Sequence, residues 1–225
     1  CIRDSRKVIT VKFFLDTANL DEIKKAFELG ILDGVTTNPA LLSKQSGSYK
    51  EGVQSIVALT GGAIVFAEVL ATEPEGMIRE AKEIAAWGPN MVIKLPMTPA
   101  GIQACASLTK EGISCAVTLI YSEPQAVVAA KAGAKYIAPF VARANEVGVD
   151  GIETISKIAQ TFQSHAIQTE ILAASVRNGH DAAKALRCGA TSVTLPYGVL
   201  MGMMKNPVTD MTLSLIHISE PTRRS

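Results

Sequence analysis

The sequence lacks any apolar run approaching the roughly 18 residues that span a bilayer, and its opening CIRDSRKV has none of the apolar stretch that a signal peptide carries. No membrane partner is expected. Neither sign of charge is in excess. A formal net charge of +1 leaves nothing to neutralise a nucleic-acid backbone, so nucleic acid is not expected as a partner either, and an anionic ligand has to be gripped by a local cluster. Cysteine and histidine are few. Cys1, Cys105, Cys115 and Cys188 are scattered without metal-ligand spacing, and His165, His180 and His217 do not pair with them. No metal site is expected, and such thiols read as buried structural groups in a reducing compartment, which places the protein in the cytoplasm. No G-x-G-x-x-G follows the first apolar run, which weighs against dinucleotide binding.

What is present is an apolar share of 48% in 225 residues with no linker or change of composition, enough for one sizeable domain. Short apolar runs alternate with longer segments of helical period. The runs are VKFFLDT, GVTTNP, IVFAEVL, MVIKLP, SCAVTLI, YIAPFVAR, EILAASVRN and SVTLP, nearly continuous as parallel strands covered on both faces should be. Between them, segments such as LDEIKKAFELG, PEGMIREAKEIAAWG and EPQAVVAAKAGA repeat apolar residues at three and four and close near Gly, where a helix stops easily. Eight such alternations predict an α/β fold, a closed (β/α)8 barrel of the TIM type; a doubly wound open sheet is the alternative.

In such a barrel the chemistry sits at the C-terminal ends of the strands. Polar residues late in each run are Asp16, Thr37 with Asn38, Glu68, Lys94, Thr118, Arg143, and Ser175 with Arg177. Lys94 stands out because lysine is almost never fully buried without a partner. It either reaches solvent from the strand end, pairs with Glu68 on the neighbouring strand, or serves as a desolvated amine of lowered pKa that attacks a carbonyl. Arg143 and Arg177, with the Ser175 hydroxyl, suit a bidentate phosphate cradle. Each arginine on its own reads equally as half of a surface ion pair.

In order and spacing, the strings FLDTAN, GVTTNP, FAEVLATEPEGM, VIKLPMTPAGI, VTLIYS, APFVAR and LAASVRN resemble the transaldolase family, above all its short branch, which includes the fructose-6-phosphate aldolases. The resemblance runs from about Val11 to Met211. It implies a barrel enzyme without metal or organic cofactor, whose strand-four lysine, here Lys94, forms a Schiff base with a ketose phosphate. A dihydroxyacetone unit then passes from sedoheptulose 7-phosphate or fructose 6-phosphate to glyceraldehyde 3-phosphate or erythrose 4-phosphate, a step of the pentose phosphate pathway.

By the same resemblance Asp16 is the carboxylate that exchanges a proton with the sugar's C4 hydroxyl, its other reading being a helix N-cap in DTANLDE. Thr36 and Asn38 orient the substrate, although Asn38 before Pro39 also reads as a turn. Glu68 and Thr118 hold a proton-shuttling water, and Arg143, Ser175 and Arg177 take the phosphate. Aldolases of the branch carry Gln in place of Glu68 and Tyr in place of Phe140, so this chain resembles the transferase. Phe140, which has no proton to donate, also reads as simple packing. An aldolase releasing free dihydroxyacetone and a phosphosugar-binding barrel without turnover are the alternatives. Ala116 and Ala138 stand where larger transaldolases are polar. Finally, residues 1–7 and 214–225 read as non-native extensions of a domain spanning 8–213. SLIHISEPTRRS replaces the C-terminal helix that packs across subunits in the pentamers and decamers of relatives, so that helix is expected to be missing and the homo-oligomer weakened.

Overall fold

The computed structural model describes residues 11–45 and 47–219; the expectations for residues 1–7 and for the last six residues lie outside that range. Eight strands, β1 (Lys12–Asp16), β2 (Gly34–Thr36), β3 (Ile64–Glu68), β4 (Met91–Pro96), β5 (Cys115–Ile120), β6 (Tyr136–Pro139), β7 (Glu170–Ala173) and β8 (Ser192–Leu195), close in chain order into a barrel. Every neighbouring pair is parallel, β8 to β1 included, so the closed barrel holds and the open sheet does not. Eleven helices are described around it: α1 (Leu20–Phe27), α2 (Pro39–Leu42), α3 (Tyr49–Leu59), α4 (Pro74–Ala85), α5 (Pro99–Lys110), α6 (Glu123–Lys131), α7 (Val141–Glu146), α8 (Gly151–Ser164), α9 (Gly179–Arg187), α10 (Tyr197–Met203) and α11 (Pro207–Ser219).

Short polar residues start several of these helices by accepting the first free backbone N–H groups: Asn19 for α1, Ser48 for α3, Thr98 for α5, Asp150 for α8 and Asn178 for α9. Ser48 and Glu51 complete a reciprocal capping box. Since Asn19 is the cap of α1, Asp16 is left free of that duty.

The barrel's interior is a small separate core of Phe14, Phe66, Val92, Ala116, Tyr136 and Leu172, one residue from each of six strands. Phe66 meets Phe14 and Tyr136 edge-on, each at 5.1 Å between ring centroids. Below it, at the N-terminal end, Lys12 is paired with Glu170 at 2.7 Å. Side chains alternate along a strand, so the residue two positions after each core residue again points inward, one layer nearer the C-terminal mouth. That step leads from Phe14 to Asp16, from Phe66 to Glu68, from Val92 to Lys94 and from Ala116 to Thr118. Two glycines permit the close approaches this layer needs. A Cβ on Gly34 would lie 2.0 Å from the Ile64 carbonyl oxygen, and one on Gly101 of α5 would lie 2.0 Å from that of Pro96, the last residue of the Lys94 strand.

Two expectations are corrected. The run YIAPFVAR is not all strand: β6 stops at Pro139, which brings no N–H to the ladder, and Arg143 belongs to α7. The C-terminal helix expected to be missing is present as α11. Pro207 at its first position, the Asn206 side chain on the Val208 N–H and Asp210 in the first turn favour its start, and no Gly or Pro falls between Val208 and Ser219 to interrupt it. Among the described residues, no helix is long and apolar enough to cross a membrane.

Candidate active site

The mouth of the barrel holds a cavity of about 180 Å³. Lys94 on β4 lies at its wall with a side chain only 14% exposed, and its Nζ is 3.1 Å from Glu68 Oε2 and 3.1 Å from the Thr37 carbonyl oxygen, to which it donates. Glu68 and Lys94 are register partners on adjacent strands, which is why their side chains meet. Of the alternatives for Lys94, the solvent-reaching one is removed: the amine is enclosed and paired. Thr37 takes part through its backbone; its hydroxyl is buried without a hydrogen-bond partner.

Asp16 faces the same cavity from β1 and accepts a hydrogen bond from the Thr36 hydroxyl at 2.9 Å. Burial pushes the Asp16 carboxyl above the usual carboxylate range, while the Thr36 hydrogen bond and the Lys94 charge pull the other way and offset only part of that. Thr36 is itself 2.6 Å from the hydroxyl of Thr194 on β8. With the Thr36 proton committed to the carboxylate, Thr194 is the donor in that second bond. Asp16 is thus held by a relay of two buried hydroxyls. Thr194 was not foreseen, although it sits late in SVTLP, where the strand-end rule finds candidates.

Thr118, Asn38, Phe140 and Ser175 complete the lining contributed by predicted residues, and the small Ala116 and Ala138 widen it. Asn38 does cap a turn: its side-chain oxygen accepts the Leu41 N–H at 3.0 Å, which turns its NH₂ to the side left for a ligand. The β5 strand bulges after Thr118, where Leu119 has φ of 62°, and the register to β6 shifts. Ser175 also has positive φ, 55°, turning the chain out of β7 toward the cavity at a cost of about 1–3 kcal/mol. Phe140 packs edge-on against Tyr121 at 5.8 Å.

The two arginines stand apart from this lining. Arg143 and Arg177 are more than half exposed at the rim, and both are paired with Glu146 at the end of α7. They are brought together, but through a carboxylate that the sequence did not single out.

Tyr49 of α3 is a second unforeseen residue. Its hydroxyl accepts the Glu68 N–H at 2.7 Å and donates to the Glu68 carbonyl oxygen at 2.9 Å, fixing the backbone from which Glu68 reaches Lys94. Burial keeps the phenol above its usual pKa and hence protonated. Tyr49→Phe is expected to cost about 1–3 kcal/mol, because it strands a backbone donor and acceptor; denaturant unfolding with unchanged m-value would read it.

A sequence model of the transaldolase/fructose-6-phosphate aldolase family matches residues 13–223. Among curated proteins, one of Geobacillus kaustophilus described as a probable transaldolase is 48% identical over 200 residues, covering 89% of this chain and 93% of that protein. Proteins of Heliobacterium modesticaldum and Geobacter metallireducens with the same description are each 47% identical, over 201 and 200 residues. Among solved structures, a mutant flavocytochrome b2 with pyruvate bound superimposes with a TM-score of 0.61 at 12% identity, covering 84% of this chain and 57% of that one, a likeness of fold alone. With nearly the full barrel matched in sequence, the chain belongs to the transaldolase/fructose-6-phosphate aldolase family.

Proposed function

We propose that this chain is a transaldolase, a transferase that carries a dihydroxyacetone unit on Lys94 from a ketose phosphate to an aldose phosphate. The observation that carries this reading is an enclosed lysine amine 3.1 Å from a carboxylate, at the wall of a cavity that a second, desolvated carboxylate also faces. The family membership and the relatives' descriptions support it.

The chemistry follows from those positions. Lys94 gives up a proton to Glu68, the carboxylate within reach, and the free amine adds to the C2 carbonyl of the ketose. Glu68, through a water held with Thr118, returns a proton to the carbinolamine hydroxyl, which leaves as water to give the iminium. Asp16 then takes the proton of the C4 hydroxyl; the C3–C4 bond breaks, its electrons pass into the iminium, and an aldose phosphate departs from the enamine. The acceptor aldehyde enters, the enamine carbon attacks it, and Asp16 protonates the new hydroxyl. Water hydrolyses the iminium and restores the amine. Thr36 fixes Asp16, and the Asn38 NH₂ holds a sugar hydroxyl. Arg143, Arg177 and Ser175 bind the phosphate. Donors are sedoheptulose 7-phosphate or fructose 6-phosphate; acceptors are erythrose 4-phosphate or glyceraldehyde 3-phosphate.

Phe140 offers no proton to the waiting enamine, which favours transfer over release. Fructose 6-phosphate supplied without an acceptor is therefore expected to yield little free dihydroxyacetone, and adding erythrose 4-phosphate to restore turnover. Steady release without acceptor would establish the aldolase instead. Borohydride with fructose 6-phosphate is expected to fix a covalent adduct on the peptide bearing Lys94; reversible binding with no adduct would leave only a phosphosugar-binding barrel.

Assembly and compartment belong to the same proposal. With α11 present, weakening of a pentameric or decameric ring would rest on side chains of its unusual sequence, and a native mass below that of a pentamer is expected; a full decamer would refute it. The free thiols Cys105, Cys115 and Cys188 support a cytoplasmic setting.

A further inference from the structure

Glu146 places its two carboxylate oxygens on two different guanidinium groups. Oε1 is 2.5 Å from Arg177 Nη2 and Oε2 is 3.6 Å from Arg143 Nε. A phosphate gripped by the same pair would be held in the same way, one oxygen to each fork. Glu146 is also held in place. It ends α7, whose neighbour Asn145 accepts the Gly151 N–H at 3.1 Å, and α7 lies so close to α8 that a Cβ on Gly151 would be 2.7 Å from Val141 Cα. The carboxylate is therefore tethered beside both cations at a high effective concentration.

We propose that Glu146 is a built-in stand-in for phosphate that selects the charge of the ligand. This inference rests on the reading of Arg143 and Arg177 as the phosphate cradle. In the free protein the carboxylate keeps the two guanidinium groups gathered and lowers the charge of the cluster from two positive to one. A monoanionic ligand offers no more than the tethered group already supplies and does not displace it. A phosphate dianion carries twice the charge and a third oxygen, so it takes over both guanidinium groups and Glu146 turns out to solvent. The residue trades phosphate affinity for discrimination against single-charge anions.

The test is calorimetric binding of inorganic phosphate at pH 8, where the dianion dominates, and of acetate, to the unaltered chain, to Glu146→Gln and to Arg177→Ala. Gln keeps the length and helical preference of Glu, and thermal melting checks that each variant folds. Removing one negative charge beside a dianion at a half-exposed site is expected to tighten phosphate binding about fivefold. Acetate, without measurable binding to the unaltered chain, is expected to bind Glu146→Gln. Phosphate affinity that is unchanged or weaker in Glu146→Gln, while Arg177→Ala still weakens it, would overturn the role of Glu146 and leave the cradle standing. Phosphate binding indifferent to Arg177→Ala would remove the cradle itself, and this inference with it.

Discussion

Lys94→Arg is expected to reduce three-carbon transfer by about a thousandfold or more, and to abolish the borohydride-trapped adduct while leaving the barrel folded. Arginine keeps a positive charge beside Glu68, so no carboxylate is left unpaired in a position only 24% exposed. What is lost is nucleophilicity, because a guanidinium is not deprotonated in a protein and forms no imine. Lys94→Ala separates charge from chemistry. It loses the same activity but also leaves Glu68 and the Thr37 carbonyl oxygen without their shared donor, and a lower melting temperature than that of Lys94→Arg is expected. Exchange of labelled three-carbon units by Lys94→Arg at an appreciable fraction of the unaltered rate would end the covalent mechanism.

Much of this site is legible in the sequence because a barrel gathers its chemistry at the C-terminal ends of its strands. Polar residues late in the apolar runs fall at the C-terminal mouth, which is how Asp16, Glu68, Lys94 and Thr118 are found without coordinates; the inward step of two from the interior core explains why they meet there. Thr194 obeys the same rule and was open to the same argument. Where YIAPFVAR ceases to be strand was not legible, since a continuous apolar run carries no periodicity to mark the change, and Arg143 therefore moved from strand to helix. Tyr49 and Glu146 were hidden for another reason. Tyr49 meets Glu68, 19 positions on, through one hydroxyl, and Glu146 meets Arg177, 31 positions on, through one carboxylate; no local pattern records either contact, and only the i,i+3 pair of Glu146 with Arg143 is local. The tail shows a third kind of limit: a segment of foreign-looking composition still forms a helix, because propagation needs only suitable side chains and no stop signal.

Asp16→Asn is expected to make the protein more stable and far less active. The carboxyl of Asp16 titrates above its ordinary value of 3.8 because burial disfavours its charge. Between the unfolded and the raised folded pKa the native state holds more protons than the unfolded one, so stability falls as pH rises through that window and stays lower above it. Asparagine does not titrate and can still accept the Thr36 hydrogen bond through Oδ1. Stability of the variant is expected to be flatter from pH 4 upward and, near neutrality, higher, read as a raised Tm in thermal unfolding. The activity moves the other way. If Asp16 is the base for the C4 hydroxyl proton, cleavage of the C3–C4 bond is expected to slow by about 10²–10⁴-fold, while imine formation, assigned to Lys94 and Glu68, is expected to continue. Borohydride should then trap the intact six-carbon phosphate on Lys94 where the unaltered enzyme is expected to yield chiefly the three-carbon unit, a difference that a mass spectrum of the peptide reads directly. In the unaltered enzyme, cleavage is expected to fall as pH drops through that raised pKa, above the range where an ordinary aspartate protonates. A three-carbon adduct accumulating on Asp16→Asn at the unaltered rate would move the base elsewhere, with Glu68 the nearest carboxylate to Lys94 that could take its place.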